Sequence, residues 1–89
     1  MTGAWNLAEM QAADLPEKAA TAFSDVTNSL VGAKYIPVLY CGEQVVHGIN
    51  YMIICKQAIS AKDAPEHIVA MVINSSEAGN SIVTIENIV

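Results

Sequence analysis

Arginine is absent from this sequence, and charge of either sign is scarce. The 89 residues include four lysines against nine acidic residues, which gives a formal net charge of −5. A negative chain without a basic stripe repels nucleic-acid phosphates, so we expect no nucleic-acid partner. Because 53% of the residues are hydrophobic and 15% are charged, disorder is implausible, and residues 1–89 are predicted to form one compact domain.

Long hydrophobic runs are also missing. No stretch approaches the roughly 18 consecutive apolar residues that a membrane-spanning helix needs. The first residues, 1–6, have neither the basic start nor the apolar body of a signal peptide. These absences predict that the protein has no membrane partner and a cytoplasmic location.

Motifs that carry chemistry are few. The sequence has no phosphate-cradling glycine-rich motif, no C-x-x-C pair and no H-E-x-x-H spacing. The only candidates for thiol catalysis or a transition-metal site are Cys41, Cys55, His47 and His67. A catalytic thiol needs a base and a cleft, which a single thin layer of this size rarely provides. We therefore expect no enzyme, no cofactor, and no catalytic, cofactor-binding or metal-binding residues.

One helix is predicted near the start of the chain. Asp14, Pro16 and Glu17 form a helix-start pattern, in which Asp14 caps the helix and Glu17 completes a capping box. The apolar stripe that follows has a helical period and consists of Ala19, Phe23, Val26 and Leu30. Gly32 is expected to end the helix in a left-handed cap. About sixteen residues at about 1.5 Å each predict a rod of roughly 24 Å.

The rest of the sequence is typical of two hairpins. Two apolar strands within residues 34–59 flank a tip at residues 44–48, and the core face of the second strand is predicted to contain Ile49, Tyr51, Ile53 and Cys55. Two further strands, at residues 67–73 and 81–89, are joined through the turn-forming residues 74–80. No helix lies between the strands, which favours antiparallel pairing.

The two cysteines are too few for a disulfide scaffold, although they could form one bridge. If the first hairpin turns at Val46, Cys41 faces Tyr51 and Cys55 faces Pro37. The two sulfurs are then roughly 13 Å apart, whereas bridged cysteines have Cα atoms within about 7 Å. Both cysteines are therefore predicted to be reduced thiols in the core.

The first tip has a distinctive sequence pattern. The segment Gln44-Val45-Val46-His47-Gly48 matches the Q-x-V-x-G pattern of the first binding loop in cystatins, and Asn50-Tyr51 matches its usual continuation. On these residues, and on the order of one helix before two hairpins, the chain resembles the cystatin superfamily. The resemblance implies a cystatin-like α+β fold, in which a single long helix packs across a four- to five-stranded antiparallel sheet.

The resemblance also implies reversible inhibition of papain-like cysteine proteases by a wedge of three parts. Such a wedge plugs the protease groove without offering a scissile bond. Carried over by position, its contacts are Gly3 and Ala4 of the N-terminal arm, Gln44, Val45, Val46, His47 and Gly48 of the first loop, and Ser75, Ser76 and Glu77 of a second loop. The Pro-Trp pair that many cystatins carry in the second loop is missing here. The stefin branch also lacks that tryptophan, disulfides and a signal peptide, so the chain is most similar to a stefin-like member.

A different class of function is the alternative. Several strands are apolar on both faces, although one helix covers only one face of a sheet. If a second copy of the chain covers the other face, the protein is a noninhibitory interaction or self-assembly module. It would form a homodimer, which could be domain-swapped. The single tryptophan, Trp5, leaves two roles open, because a lone Trp near a terminus either covers the edge of the core or anchors a partner.

Overall fold

The fold consists of one helix and an antiparallel sheet. A computed structural model of the protein describes residues 5–89. The elements in chain order are α1 Glu17–Asn28, β1 Ala33–Val46, β2 Gly48–Ile59, β3 His67–Ser76 and β4 Gly79–Asn87. The strands are arranged β1-β2-β3-β4, and every neighbouring pair is antiparallel. The predicted α+β class is confirmed, with four strands in the described part of the chain.

Helix α1 begins later than predicted. Pro16 is its N-terminal cap residue, and the Pro16 carbonyl accepts a hydrogen bond from the Ala20 N–H at 2.8 Å. Pro16 has extended backbone angles, and within residues 5–89 no side-chain capping bond is made at this end. The predicted capping box of Asp14 and Glu17 is therefore wrong. The residue before a proline is disfavoured in helical geometry, which explains why Leu15 lies outside the helix.

Helix α1 also ends earlier than predicted. Its 12 residues span roughly 18 Å at about 1.5 Å per residue. Hydroxyl groups of its last turn bond back to the helix, with Thr27 Oγ1 donating to the Phe23 carbonyl at 2.7 Å and Ser29 Oγ donating to the Val26 carbonyl at 3.0 Å. Ser29 is the cap residue, so the assignment of Gly32 as the cap is wrong, and Leu30 lies beyond the helix.

Gly32 belongs to the entry into β1 instead. Its backbone is left-handed, with φ of +88°, and its carbonyl accepts a hydrogen bond from the Ser60 N–H at 2.7 Å. This bond extends the pairing of Ala33 with Ile59 at the base of the first hairpin. Gly32 is thus a turn residue at the end of the hairpin that lies farthest from its tip.

The first hairpin turns at His47. Val46 pairs with Gly48, so His47 alone lies between the paired ends of β1 and β2. The predicted turn at Val46 is therefore wrong by one residue, although the tip falls within residues 44–48 as predicted.

Two β-bulges in β1 change the expected neighbours of the cysteines. The pairing with β2 skips Val38 and Cys41, and a bulged residue is left without a partner on the opposite strand. Pro37 pairs with Cys55 as predicted, whereas Cys41 does not face Tyr51. The Cys41 thiol is exposed and the Cys55 thiol is buried. The prediction of a core thiol is confirmed for Cys55 and wrong for Cys41.

The second hairpin is tighter than predicted. Strand β3 continues through Ser76 and β4 begins at Gly79, which leaves Glu77 and Ala78 as the tip. Ser75 and Ser76 are therefore strand residues and only Glu77 of the three lies at the tip, while their contact with a protease stays a prediction. The Ser76 hydroxyl accepts a hydrogen bond from the Ala78 N–H at 3.2 Å. This local bond allows a short turn in place of the long connection expected at residues 74–80.

The core lies between α1 and one face of the sheet. It consists of Ala19, Ala22, Phe23 and Val26 from the helix and Tyr51, Ile53, Cys55, Val69, Met71 and Ile73 from β2 and β3. The predicted core face of β2 is confirmed, since Ile49 also packs against this cluster. Burial of a large aliphatic side chain stabilises a fold by about 1.5–3 kcal/mol, so this cluster fixes the sheet on which the hairpin tips stand.

Several large apolar side chains of the sheet lie outside this core. Leu39, Met52 and Val83 are 56%, 43% and 52% exposed. They leave apolar surface that α1 does not cover.

Within residues 5–89, no helix combines the length and the hydrophobicity that crossing a bilayer requires.

Candidate functional site

The tips of the two hairpins lie side by side at one end of the sheet. Strand β2 begins at Gly48 close to the point where β3 ends, because Ile49 pairs with Ser75. The second tip follows β3 directly, at residues 77–78. We call residues 44–48 and 77–78 together the tip edge.

The first tip exposes two valines. Val45 is 81% exposed and Val46 is 43% exposed. Their placement forgoes burial that stabilises by about 1.5–3 kcal/mol for a fully buried side chain. β-branched side chains have restricted χ1 rotamers, so a partner would have little side-chain motion to arrest. The pair is thus apolar surface in a nearly fixed arrangement, suited to an apolar groove.

Gly48 allows the first tip to pack closely against β3. Its backbone is left-handed, with φ of +85°. A Cβ atom at this position would overlap the Ser75 carbonyl oxygen and lie 2.8 Å from Ser76 Cβ. Both the backbone angle and the crowding therefore select glycine. The fold itself therefore requires glycine at position 48, whether or not the tip binds a partner.

Three side-chain amides connect the first tip to β3. Gln44 pairs with Asn50 and Asn50 pairs with Asn74, so the three residues form a row across β1, β2 and β3. Asn50 Nδ2 donates to Gln44 Oε1 at 3.2 Å, and Asn74 Nδ2 donates to Asn50 Oδ1 at 3.1 Å. Asn74 Nδ2 also donates to the backbone carbonyl of His47 at 3.1 Å. A strand of the second hairpin thus holds the turn of the first.

The second hairpin is bonded to the helix next to its tip. Asn80 Nδ2, at the start of β4, donates to Asp25 Oδ2 of α1 at 3.0 Å. Glu77 and Ala78 are exposed. They present a carboxylate and a methyl group, so this tip offers much less apolar surface than the Val45–Val46 pair.

The N-terminal arm is described only in part. The predicted contacts Gly3 and Ala4 lie outside the described residues. Trp5 is 77% exposed, so the role of covering the core edge is excluded for the described conformation. Closer to the helix, the Ala13 N–H donates to the Pro37 carbonyl at 2.8 Å. This bond attaches the arm to β1.

The groups with shifted pKa values, Tyr40 and Cys55, lie in the strands of the first hairpin and outside the tip edge. Burial raises the pKa of Tyr40, and the Glu43 carboxylate and Tyr51 raise it further by smaller amounts. Burial also raises the pKa of Cys55 to about 12. Both groups are therefore neutral at pH 7.

Across residues 5–89, no group of three or more His, Cys, Asp or Glu side chains is arranged to hold a metal ion.

The residues that hold the first tip in place are missed by sequence reasoning. Composition indicates Asn74 only as part of a turn, yet it lies inside β3. The available signal is the position of Asn50 and Asn74 in strands that are otherwise strongly apolar. A polar side chain within such a strand needs a hydrogen-bond partner, which suggests that the two residues bond each other.

Comparison of the chain with protein-family models, curated proteins and solved structures gives no match. By its fold and its site, the chain is an α+β protein that presents two adjacent hairpin tips at one end of its sheet. Membership of the cystatin superfamily stays a prediction from the residues of the first tip.

Proposed function

We propose that the protein is a reversible, noncatalytic inhibitor of papain-like cysteine proteases with a cystatin-like, stefin-like fold. The first tip is the central contact and enters the protease groove. The observation that supports this most is the exposure of Val45 and Val46, 81% and 43%, within a segment that fits the Q-x-V-x-G pattern.

The structure of the first tip suits blocking rather than being cleaved. A protease cleaves a segment that lies extended through its groove, whereas the chain here reverses direction at His47, between the paired residues Val46 and Gly48. Insertion would bury the two valines against the apolar groove wall, and the stiff tip would lose little entropy. The groove would be filled while the catalytic thiol meets no peptide bond in a cleavable geometry.

A single hairpin tip is too small for a tight complex. Inhibitor interfaces usually bury about 800 Å² on each partner. The adjacent second tip would add a polar contact through Glu77 and Ala78. The arm with Gly3 and Ala4 would add a third, and the exposed Trp5 would extend it. Because the second tip lacks the Pro-Trp pair, most of the affinity is expected from the first tip and the arm.

The proposal predicts a large effect of one substitution on the first tip. Val46→Asp would place a charge in an apolar contact, and loss of a central interface residue raises Kd by at least about thirtyfold. The measurement is a titration of a papain-like protease with size-separated protein. Deletion of residues 1–5 should weaken inhibition to a smaller degree.

A matched control is available at the other end of the first hairpin. Val31 is 96% exposed and precedes Gly32, whose carbonyl bonds to Ser60 at the hairpin base. Val31→Asp adds the same charge away from the tip edge and should leave Kd within about twofold. Undiminished protease activity with excess folded wild-type protein would contradict the proposal.

Self-association is the second candidate function. The exposed apolar side chains Leu39, Met52 and Val83, on β1, β2 and β4, favour it, because a partner would bury apolar surface that α1 leaves uncovered. A noninhibitory homodimer would bury these residues or exchange the first hairpin between chains. Light scattering that finds a monomer at every concentration would count against this candidate.

A further inference from the structure

We propose that Asn74 is a positioning residue that joins the two hairpin tips into one rigid unit. Its side chain comes from β3 of the second hairpin, but both of its hydrogen bonds are made to the first hairpin. Asn74 Nδ2 donates to the His47 carbonyl and to Asn50 Oδ1, each at 3.1 Å. One amide group therefore contacts both the turn and the strand that leads away from it.

Asn74 supplies the side-chain hydrogen bond from β3 to the turn at His47, next to the backbone pairing of Ile49 with Ser75. Val45, Val46 and His47 are all exposed, so core packing does not immobilise them. Gly48 brings the turn close to β3, where a Cβ would overlap the Ser75 carbonyl, and glycine alone leaves the backbone more freedom than any other residue. The hydrogen bond from Asn74 to the His47 carbonyl adds a directional restraint to this close packing.

A separate hydrogen bond attaches the second hairpin to the helix. Asn74 and Asn80 belong to the paired strands β3 and β4, and Asn80 donates to Asp25 of α1 at 3.0 Å. This bond involves no residue of the first hairpin, so it is independent of the bonds that Asn74 makes. Asn74 holds the tip, whereas Asn80 holds the second hairpin to the body of the protein.

The free protein provides the first test. In Asn74→Leu, a side chain of similar size occupies the site without any donor. Backbone order parameters from ¹⁵N relaxation at residues 45–48 should fall from about 0.85 toward about 0.6. Asn80→Leu is the matched control, since it removes an amide bond from the same hairpin, and it should leave the order parameters at residues 45–48 unchanged.

A second variant separates positioning from folding. Asn74→Asp keeps the shape of the side chain but replaces the donor Nδ2 with an oxygen, so it should loosen the tip as much as Asn74→Leu. Unchanged order parameters in the variants, or equal loosening in Asn80→Leu, would overturn the proposal. An Asn74→Leu protein that melts with wild-type cooperativity and has a loosened tip would support it.

The consequence for inhibition rests on the proposed function. A tip that must be ordered on binding dissociates faster, so Asn74→Leu should raise the off-rate from a papain-like protease by about three- to tenfold. The on-rate should change less than the off-rate. A loosened tip with an unchanged off-rate would overturn this consequence. If the wild-type protein does not inhibit at all, the proposed function fails, while the order parameters still decide whether Asn74 positions the tip.

Discussion

The two hairpin tips stand next to each other, yet they are stabilised in different ways. The first exposes Val45 and Val46 and is held from outside, by bonds from Asn74 and by close packing of its glycine on β3. The second exposes Glu77 and Ala78 and is closed by a local bond between Ala78 N–H and the Ser76 hydroxyl.

The difference shows where tertiary structure determines the shape of a tip. A turn that closes on itself needs only its own residues, so its shape tolerates changes elsewhere in the fold. A turn held by a neighbouring strand depends on that strand, and in return it can present apolar side chains in a fixed arrangement. The first tip therefore has the features of a binding element, and it should be the more sensitive of the two to substitution.

The largest loss of folding free energy is expected when the glycine beside each tip is replaced. Gly48→Ala and Gly79→Ala both place a methyl group on a residue with positive φ, +85° and +116°, which costs about 1–2 kcal/mol. Only at Gly48 does the new Cβ meet β3, at the Ser75 carbonyl; within 4 Å of Gly79 it meets no atom. We expect a loss of folding free energy of about 2–4 kcal/mol for Gly48→Ala and about 1–2 kcal/mol for Gly79→Ala.

Urea unfolding measured by circular dichroism checks this ranking. The Gly79→Ala protein is the control for the backbone strain that the two sites share. If the two variants lose the same stability, the packing of the first tip against β3 is not what selects glycine there. Gly48→Ala should also shift the amide resonances of Ser75 and Ser76, whereas Gly79→Ala should leave those of residues 44–47 in place.

The elements of this fold could be predicted from periodicity, but their ends could not. The helical stripe Ala19, Phe23 and Val26 and the alternating face of β2 are patterns of burial, and burial is what the core selects. Element ends depend on single hydrogen bonds. The Ser29 hydroxyl bond ends the helix before Gly32, and the Ser76 hydroxyl bond shortens the second turn. Short polar side chains make several such bonds with similar free energies, so composition does not choose among them.

One part of the candidate site could be predicted from the sequence and another part could not. The exposed segment at residues 44–48 could be located from its motif and its flanking strands. Its support could not, because Asn74 reaches the tip only through the pairing of β2 with β3. Alternation also fails for Cys41, which is left unpaired at a bulge of β1. Register errors of one residue exchange the faces of a strand, so side-chain placement near a bulge cannot be read from alternation alone.

A smaller effect on stability is expected from the ionisation of the Cys55 thiol at high pH. It concerns the body of the first hairpin, where both cysteines of the chain lie. Burial raises the pKa of Cys55 to about 12, whereas an unfolded thiol has a pKa of about 8.5. The unfolded chain therefore loses this proton first as pH rises. The contribution of the neutral thiol to stability is complete below about pH 8.5 and is lost progressively toward about pH 12.

Unfolding midpoints in urea at pH 8, 9 and 10 should thus fall more steeply for the wild type than for Cys55→Val. The raised pKa of Tyr40 gives a slope of the same sign, but Tyr40 remains in both proteins and cancels in the comparison. Cys41→Ser is the control for an exposed thiol and should keep the wild-type slope. Equal slopes for the wild type and Cys55→Val would mean that the first hairpin opens to solvent at its centre. Its tip would then lack the rigid base on which the contrast between the two tips depends.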